Sequence, residues 1–240
     1  MFFKKLIKSI TPDFLLQIYY DYKNKNKTFF GHHNLDQKLC EFLNYKDGFF
    51  VELGANDGIR QSNTFYFEKN LNWSGILIEP IKSKFIICKN NRSKKNFFYN
   101  KACVGFNFKN EKIKMIYSDL MTTINDNRII NKVDSSKHAL KGEQYLQGNE
   151  KVKEFFVETT TLNQIFEDVK APKMMDFLSL DVEGSEIEVL NGINFDDYNF
   201  KYIMVESRDD NQIIDYLENK NYYFIKKISK RDLIFKYKKF

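Results

Sequence analysis

Two stretches of this chain combine residue types and spacings that could do chemistry. The first is Phe50-Val51-Glu52-Leu53-Gly54-Ala55-Asn56-Asp57-Gly58, followed later by Ile76-Leu77-Ile78-Glu79-Pro80. An apolar strand that ends in a glycine turn bends sharply and leaves no Cβ where a ligand must approach. A second apolar strand ends in an acid, Glu79. In a βαβ unit that acid sits where ribose hydroxyls need a bidentate acceptor. The second stretch is Met174-Met175-Asp176-Phe177-Leu178-Ser179-Leu180, then Asp181-Val182-Glu183-Gly184-Ser185-Glu186. Asp181 and Glu183 leave the C-terminal end of a strand just before a helix, the edge at which open α/β sheets bind ligands. Glu206 closes a further strand and adds a third carboxylate.

The glycine spacing selects among nucleoside-bearing cofactors. A dinucleotide fingerprint needs G-x-G-x-x-G so that helix N–H groups can cradle a pyrophosphate. Here the pattern is G-x-x-x-G with Asn56 and Asp57 inside the turn, and a negative Asp57 would repel phosphate. Asn56 and Asp57 suit a ligand that carries an ammonium group. S-adenosylmethionine has a ribose, an amine and a sulfonium, and no phosphate. The competing reading, a tight turn that binds nothing, covers Gly54 and Gly58 alone but not the acid-tipped second strand.

With 240 residues, 42% of them hydrophobic and 16% aromatic, the chain can bury a full core and is not of the disordered class. No apolar run approaches the roughly 20 residues of a membrane span. The basic Met1–Lys8 start runs into Ser9-Ile10-Thr11-Pro12-Asp13 and not into an uninterrupted apolar stretch, so no signal peptide is expected. Cys40, Cys88 and Cys103 form no C-x-x-C, so neither a disulfide framework nor a zinc site is expected, and the compartment expected is the cytoplasm. The net charge of +6 lies at the ends: residues 1–48 carry +3 and residues 226–240 carry +6, leaving the centre near −3. A mildly acidic centre argues against nucleic acid as a partner.

Along the chain, Phe2, Phe3, Leu6, Ile7 and Ile10, then Phe14, Leu15, Ile18, Tyr19 and Tyr22, predict two amphipathic helices in an N-terminal extension over 1–48. These would cap the domain or make a homodimer contact. From residue 49 to 240, strands at 49–53, 75–79, 97–103, 175–180 and 201–206 alternate with helices, which predicts a parallel sheet covered on both faces. Thr161-x-x-Gln164 and Ser185-x-x-Glu188 predict capping boxes. Runs at 221–228 and 232–237 predict a closing antiparallel hairpin. An insertion over about 104–158 breaks the alternation, with strand-like runs at 112–117 and 152–157. Its polar 118–150 segment is expected to form a lid, with Gly142 and Gly148 as hinges. His138 lies in it, whereas His32 and His33 are expected at the surface.

These motifs resemble the FkbM-type methyltransferases: Val51 to Gly58, Ile78-Glu79-Pro80, Leu180-Asp181-Val182-Glu183-Gly184-Ser185-Glu186 and Val205-Glu206 carry the likeness over roughly residues 48–225. The resemblance implies an α/β class I methyltransferase fold of the Rossmann-like type, with a mostly parallel seven-stranded sheet. It implies S-adenosylmethionine as cofactor and O-methylation of sugars, antibiotics or surface-glycan precursors. Glu52, Gly54, Asn56, Asp57, Gly58, Glu79, Pro80 and Asp181 would form the cofactor site. The chain has Glu206-Ser207-Arg208 where many members carry Glu-His, so the base is sought among Asp181, Glu183, Glu206 and His138. Asp181 and Glu206 could also hold Mg²⁺ or another divalent cation through oxygen. The acceptor expected is a sugar or nucleotide-linked sugar. The alternatives are a nucleic-acid methyltransferase on the same fold and a non-catalytic protein that only binds the cofactor. A nicotinamide dehydrogenase is disfavoured by the missing phosphate glycine.

Overall fold

The computed structural model describes residues 27–127, 129, 134–146 and 150–240. The two helices expected before residue 23, and the dimer contact through them, lie outside the described residues, as does Gly148. The first described helix is α1 (Leu35–Leu43), entered through a short 3₁₀ turn at His32–Asn34.

The chain then alternates as expected: β1 (Phe49–Leu53), α2 (Phe65–Leu71), β2 (Ser74–Ile78), α3 (Lys82–Asn91) and β3 (Phe97–Tyr99). After the insertion come α5 (Leu162–Asp168), β8 (Met174–Leu180), α6 (Glu186–Leu190), β9 (Asn199–Glu206), α7 (Asp210–Glu218), β10 (Tyr222–Lys227) and β11 (Asp232–Tyr237). The seven-stranded sheet has the order β10-β11-β9-β8-β1-β2-β3. The pairs β3–β2, β2–β1, β1–β8 and β8–β9 are parallel, and β11 runs antiparallel to both its neighbours. This is the mostly parallel seven-stranded sheet that the resemblance implies, closed by the expected hairpin.

Side chains alternate across the strands and fill a core on each face. Val51, Leu53, Ile76, Ile78, Leu178, Leu180, Ile203 and Val205 pack with Leu162, Ile165 and Phe166 of α5, Leu190 of α6 and Leu217 of α7. Phe50, Leu77, Phe177 and Met204 pack on the opposite face with Leu35, Leu39 and Leu43 of α1, Phe67 of α2 and Trp73. Glu52, on the Phe50 side of β1, is therefore driven under the same helices, and a buried arginine meets it there. Arg92, at the end of α3, reaches Glu52 (3.2 Å), Glu68 (2.8 Å) and Thr64 Oγ1 (2.9 Å).

The insertion has its own architecture. β4 (Ala102–Cys103), β5 (Lys112–Tyr117), β6 (Thr123–Ile124) and β7 (Lys153–Thr160) form a second sheet in the order β4-β7-β5-β6. The single strand expected over 97–103 is thus two: β3 stays in the main sheet, while β4 leaves it to pair with Thr159 and Thr160 of β7. Helix α4 (Ser135–Gly142) packs beside this sheet. Thr161 caps α5 as expected, its Oγ1 accepting from Gln164 N–H at 3.1 Å. Ser185 makes no cap bond, and the Glu188 carboxylate, which would complete the box at the Ser185 N–H, accepts instead from Gly105 N–H at 2.8 Å.

Candidate active site

The sheet registers place the motif residues in one row. Leu53 stands opposite Ile78 in β2 and Leu180 in β8, and Leu180 stands opposite Val205 in β9. The next residue on each strand is Glu79, Gly54, Asp181 or Glu206, so all four stand at neighbouring strand tips. Three steps of about 4.8 Å separate Glu79 from Glu206, roughly 14 Å in all. Strand order reverses between β2–β1 and β8, which opens the crevice where such sheets bind ligands.

A cavity of about 420 Å³ fills that crevice, a volume suited to a small molecule. Its wall includes Glu52, Gly54, Asn56, Glu79, Pro80, Asp181, Glu183 and Glu206 from the expected set. Gly54 has φ +76°, and a Cβ there would lie 2.3 Å from the Asp181 carbonyl oxygen. Gly54→Ala is therefore expected to destabilise the fold by at least the 1–3 kcal/mol or so of a strained backbone and to distort the wall. Urea unfolding with calorimetric cofactor binding measures both effects.

Glu79 is buried, with Oε2 accepting from Asn56 N–H (2.8 Å) and Oε1 from Ile81 N–H (2.7 Å). Each oxygen keeps a lone pair for a ligand hydroxyl. Burial pushes the Glu79 pKa up to about 7, against the pull of these two N–H groups and of Lys84. Asn56 adopts φ +48°, and its Oδ1 is a buried acceptor without a hydrogen-bond partner. Asn100 donates to the carbonyls of Glu79 and Pro80 at 2.8 and 2.9 Å and so fixes this tip.

Asp181 faces the open cavity while protein surrounds it on all other sides. Burial, then the Glu206 and Glu183 carboxylates, push its pKa well above the usual carboxylate range, and a hydrogen bond to Glu206 acts in the same direction. Like charges in such contact disfavour ionisation of Asp181, which then can donate to Glu206. Glu183 is already engaged: its Oε2 meets Arg208 and lies 2.9 Å from His138 Nε2, and its carbonyl accepts from Thr123 Oγ1 at 2.9 Å. Asp181, Glu183 and Glu206 each offer an oxygen within 4.8 Å of the others.

Three expected site residues lie outside the cavity wall. Asp57 Oδ1 accepts from Ile59 N–H (2.9 Å) and Arg60 N–H (2.7 Å), so the turn consumes its carboxylate locally. Gly58 packs against Arg92 and Cys88. His138 is buried behind Glu183 and braces it from the insertion. Glu52 borders the cavity, but Ser62, the Asn63 N–H, Thr64 and Arg92 occupy its oxygens.

The structure adds wall residues that the sequence reading missed. Ile81, Lys101, Ala102 and Cys103 line the Glu79 end, and Arg60, Arg208, Arg231 and Lys141 also border the cavity. His32, expected at the surface, is exposed yet also borders it. From the insertion come Met115, Asp119, Leu120, Met121, Thr122, Ile124, Gln144 and Tyr145, so the expected lid segment lies over the site. Asp119 ties it down: its side chain is fully buried between Arg60 (2.9 Å) and Lys84 (2.8 Å). Arg208 was available to the sequence reading, two positions after Glu206. Lys141 and Arg231 had no local signal.

Among solved structures, the chain is similar to a precorrin-6y C5,15-methyltransferase from Geobacter metallireducens, at 10% identity and TM-score 0.43 over 88% of this chain and 91% of that one. It is also similar to a candidate caffeoyl-CoA O-methyltransferase from Staphylococcus aureus, at 10% identity and TM-score 0.41 over 98% of this chain and 96% of that one. No curated protein matches the sequence. The family model for the methyltransferase FkbM domain matches residues 52–224, well over half the chain and the whole row of strand tips from Glu79 to Glu206. The chain therefore belongs to the FkbM methyltransferase family and is an S-adenosylmethionine-dependent methyltransferase.

Proposed function

We propose that the enzyme methylates a hydroxyl of a sugar or nucleotide-linked sugar, in surface-glycan or secondary-metabolite biosynthesis. The observation that carries this reading is the Asp181–Glu206 carboxyl pair, two and three strand steps from Glu79 and inside the same cavity. Glu79 takes the ribose hydroxyls, Gly54 and Asn56 border the methionine end, and Ile81, Pro80 and Ala102 flank the base. When bound, the cofactor supplies a sulfonium-activated methyl group. The protein's share is to align the acceptor oxygen in line with that methyl and to take its proton. Glu183 is held by Arg208 and His138, and burial with two neighbouring carboxylates pushes Asp181 toward its protonated form. Glu206 is therefore the base, and Asp181 donates to it and holds its orientation. A screen of nucleotide-linked and free sugars with methyl-labelled cofactor tests the reading. Transfer to a nitrogen or carbon acceptor, with none to oxygen, would overturn it.

A divalent cation held by Asp181 and Glu206 is a second reading, favoured by the three clustered carboxylates. Chelator treatment that abolishes turnover, with recovery on adding Mg²⁺, would select it over the proton-sharing pair.

Glu79 makes the cofactor step pH-dependent. Burial raises its carboxyl to about 7, so its contribution to stability is full below the ordinary carboxylate pKa and is lost as pH rises through 7. Ribose hydroxyls donate to the ionised form, so binding runs the opposite way. S-adenosylhomocysteine should bind about tenfold more tightly per pH unit gained below 7, and level off above it. Calorimetry in buffers of different ionisation enthalpy should register one proton released near pH 6. Glu186, also raised to about 7 by burial, does not line this cavity. Glu79→Gln should therefore remove the slope as well as weaken binding. A slope that persists in that variant would place the proton elsewhere.

A further inference from the structure

Cations and acids are not mixed evenly in the cavity wall. Asp181 opens onto the cavity, but other acids of the wall lie deeper: the Asp119 side chain is fully buried and those of Glu183 and Glu206 are 13% and 18% exposed. Most of them already have a cation. Arg92 answers Glu52, Arg60 and Lys84 answer Asp119, and Arg208 answers Glu183. Two exposed cations that border the same cavity are used less fully. Lys141 is exposed, at the last turn of α4, and has no ion-pair partner among the described residues. The Arg231 side chain is 47% exposed and reaches Glu206 only at 3.5 Å.

Both are held in place by their backbones. The Arg231 carbonyl accepts from Ser207 N–H at 2.8 Å, which seats the β10–β11 turn beside the end of β9. Beyond Lys141, a Cβ on Gly142 would lie 2.2 Å from Ser118 Oγ, and that hydroxyl donates to the Ala139 carbonyl at 2.5 Å. The end of α4 is thus clamped to the turn that carries Asp119. The wall therefore presents a cluster of carboxylates and, bordering the same cavity on backbones held in place, two exposed cations with little or no ion pairing.

We propose that the acceptor carries a phosphate-type anion that rests against Lys141 and Arg231 while its hydroxyl meets the Asp181–Glu206 pair. This deepens the sugar reading above, on which it rests, and narrows the acceptor to the nucleoside-diphosphate-linked form. A neutral sugar would leave both cations solvated and gain nothing from them, whereas a diphosphate offers oxygens that each can contact.

The test needs no knowledge of the sugar. Uridine diphosphate, glucuronate and glucose are titrated by calorimetry into the full chain saturated with S-adenosylhomocysteine, at low and at physiological salt. Uridine diphosphate should bind, and should weaken as salt rises. Lys141→Ala and Arg231→Ala should each weaken it by about 3- to 5-fold, and Arg231→Glu by more, as for partly exposed ion pairs. The affinity for S-adenosylhomocysteine should stay unchanged in all three. Both side chains are at the surface, so folding is not at issue, and a thermal melt confirms it. Uridine diphosphate no tighter than glucose, or indifferent to both substitutions, overturns the proposal. Glucuronate with equal affinity and equal sensitivity replaces phosphate by carboxylate and overturns it too. Failure of the wild-type chain to bind S-adenosylhomocysteine would instead strike the cofactor reading.

Discussion

Replacing Glu206 by glutamine is expected to lower methyl transfer by about 10²- to 10⁴-fold, the usual range for loss of a general base. Cofactor affinity should hardly change, because Glu206 stands on the far side of Asp181 from the Glu79 tip. The companion substitution Asp181→Asn should be far milder, within about tenfold. Burial and two neighbouring carboxylates already push Asp181 toward its protonated form, and an asparagine amide reproduces that form's ability to donate to Glu206. Single-turnover transfer from labelled cofactor, with calorimetry for affinity, separates the two variants. Should Asp181→Asn prove the more damaging, the base lies on β8 and the proton sits on Glu206.

Arg92→Ala should give the largest loss of stability, about 3–5 kcal/mol, because it strands the Glu52 and Glu68 carboxylates in the interior. The Arg92 side chain is fully buried and bonds to Glu52, Glu68, Thr64 Oγ1 and the Gly58 carbonyl. It also lies 5.2 Å from the Phe50 ring and 5.4 Å from the Phe65 ring. At roughly 2–4 °C per kcal/mol for a chain of this size, the melting temperature should fall by on the order of 10 °C. Pairing it with Glu52→Gln should recover part of the loss, since the stranded charge and not the missing contact dominates. A double variant no better than Arg92→Ala alone would mean that packing of the guanidinium dominates.

The row of strand tips was legible because each of its members is the first residue after an apolar run. Leu53, Ile78, Leu180 and Val205 are read as strand ends by their composition, and Gly54, Glu79, Asp181 and Glu206 follow at once. What escaped the sequence reading is non-local. The separation of β4 from β3 depends on pairing with β7, more than fifty residues away in the chain, and no local propensity specifies that. Ser185-x-x-Glu188 fits a capping box by spacing, yet the Gly105 N–H, brought in by the insertion, competes for the glutamate. Asp57 is a plausible ligand for an ammonium group, but an aspartate two residues before free backbone N–H groups bonds to them first. His32 and Arg231 reach the cavity only through tertiary placement of loops at opposite ends of the chain.

The row also bears on how such an enzyme can change its substrate. The span from the ribose acid to the carboxyl pair is counted in hydrogen-bonded strands, so side-chain replacement in the wall does not alter it. Lengthening β2, β8 or β9 by a residue would rotate its tip to the other face and lose the acid altogether. Drift in acceptor preference is thereby channelled into the second sheet, α4 and the β10–β11 turn. These can exchange side chains freely while the axis of methyl transfer keeps its length.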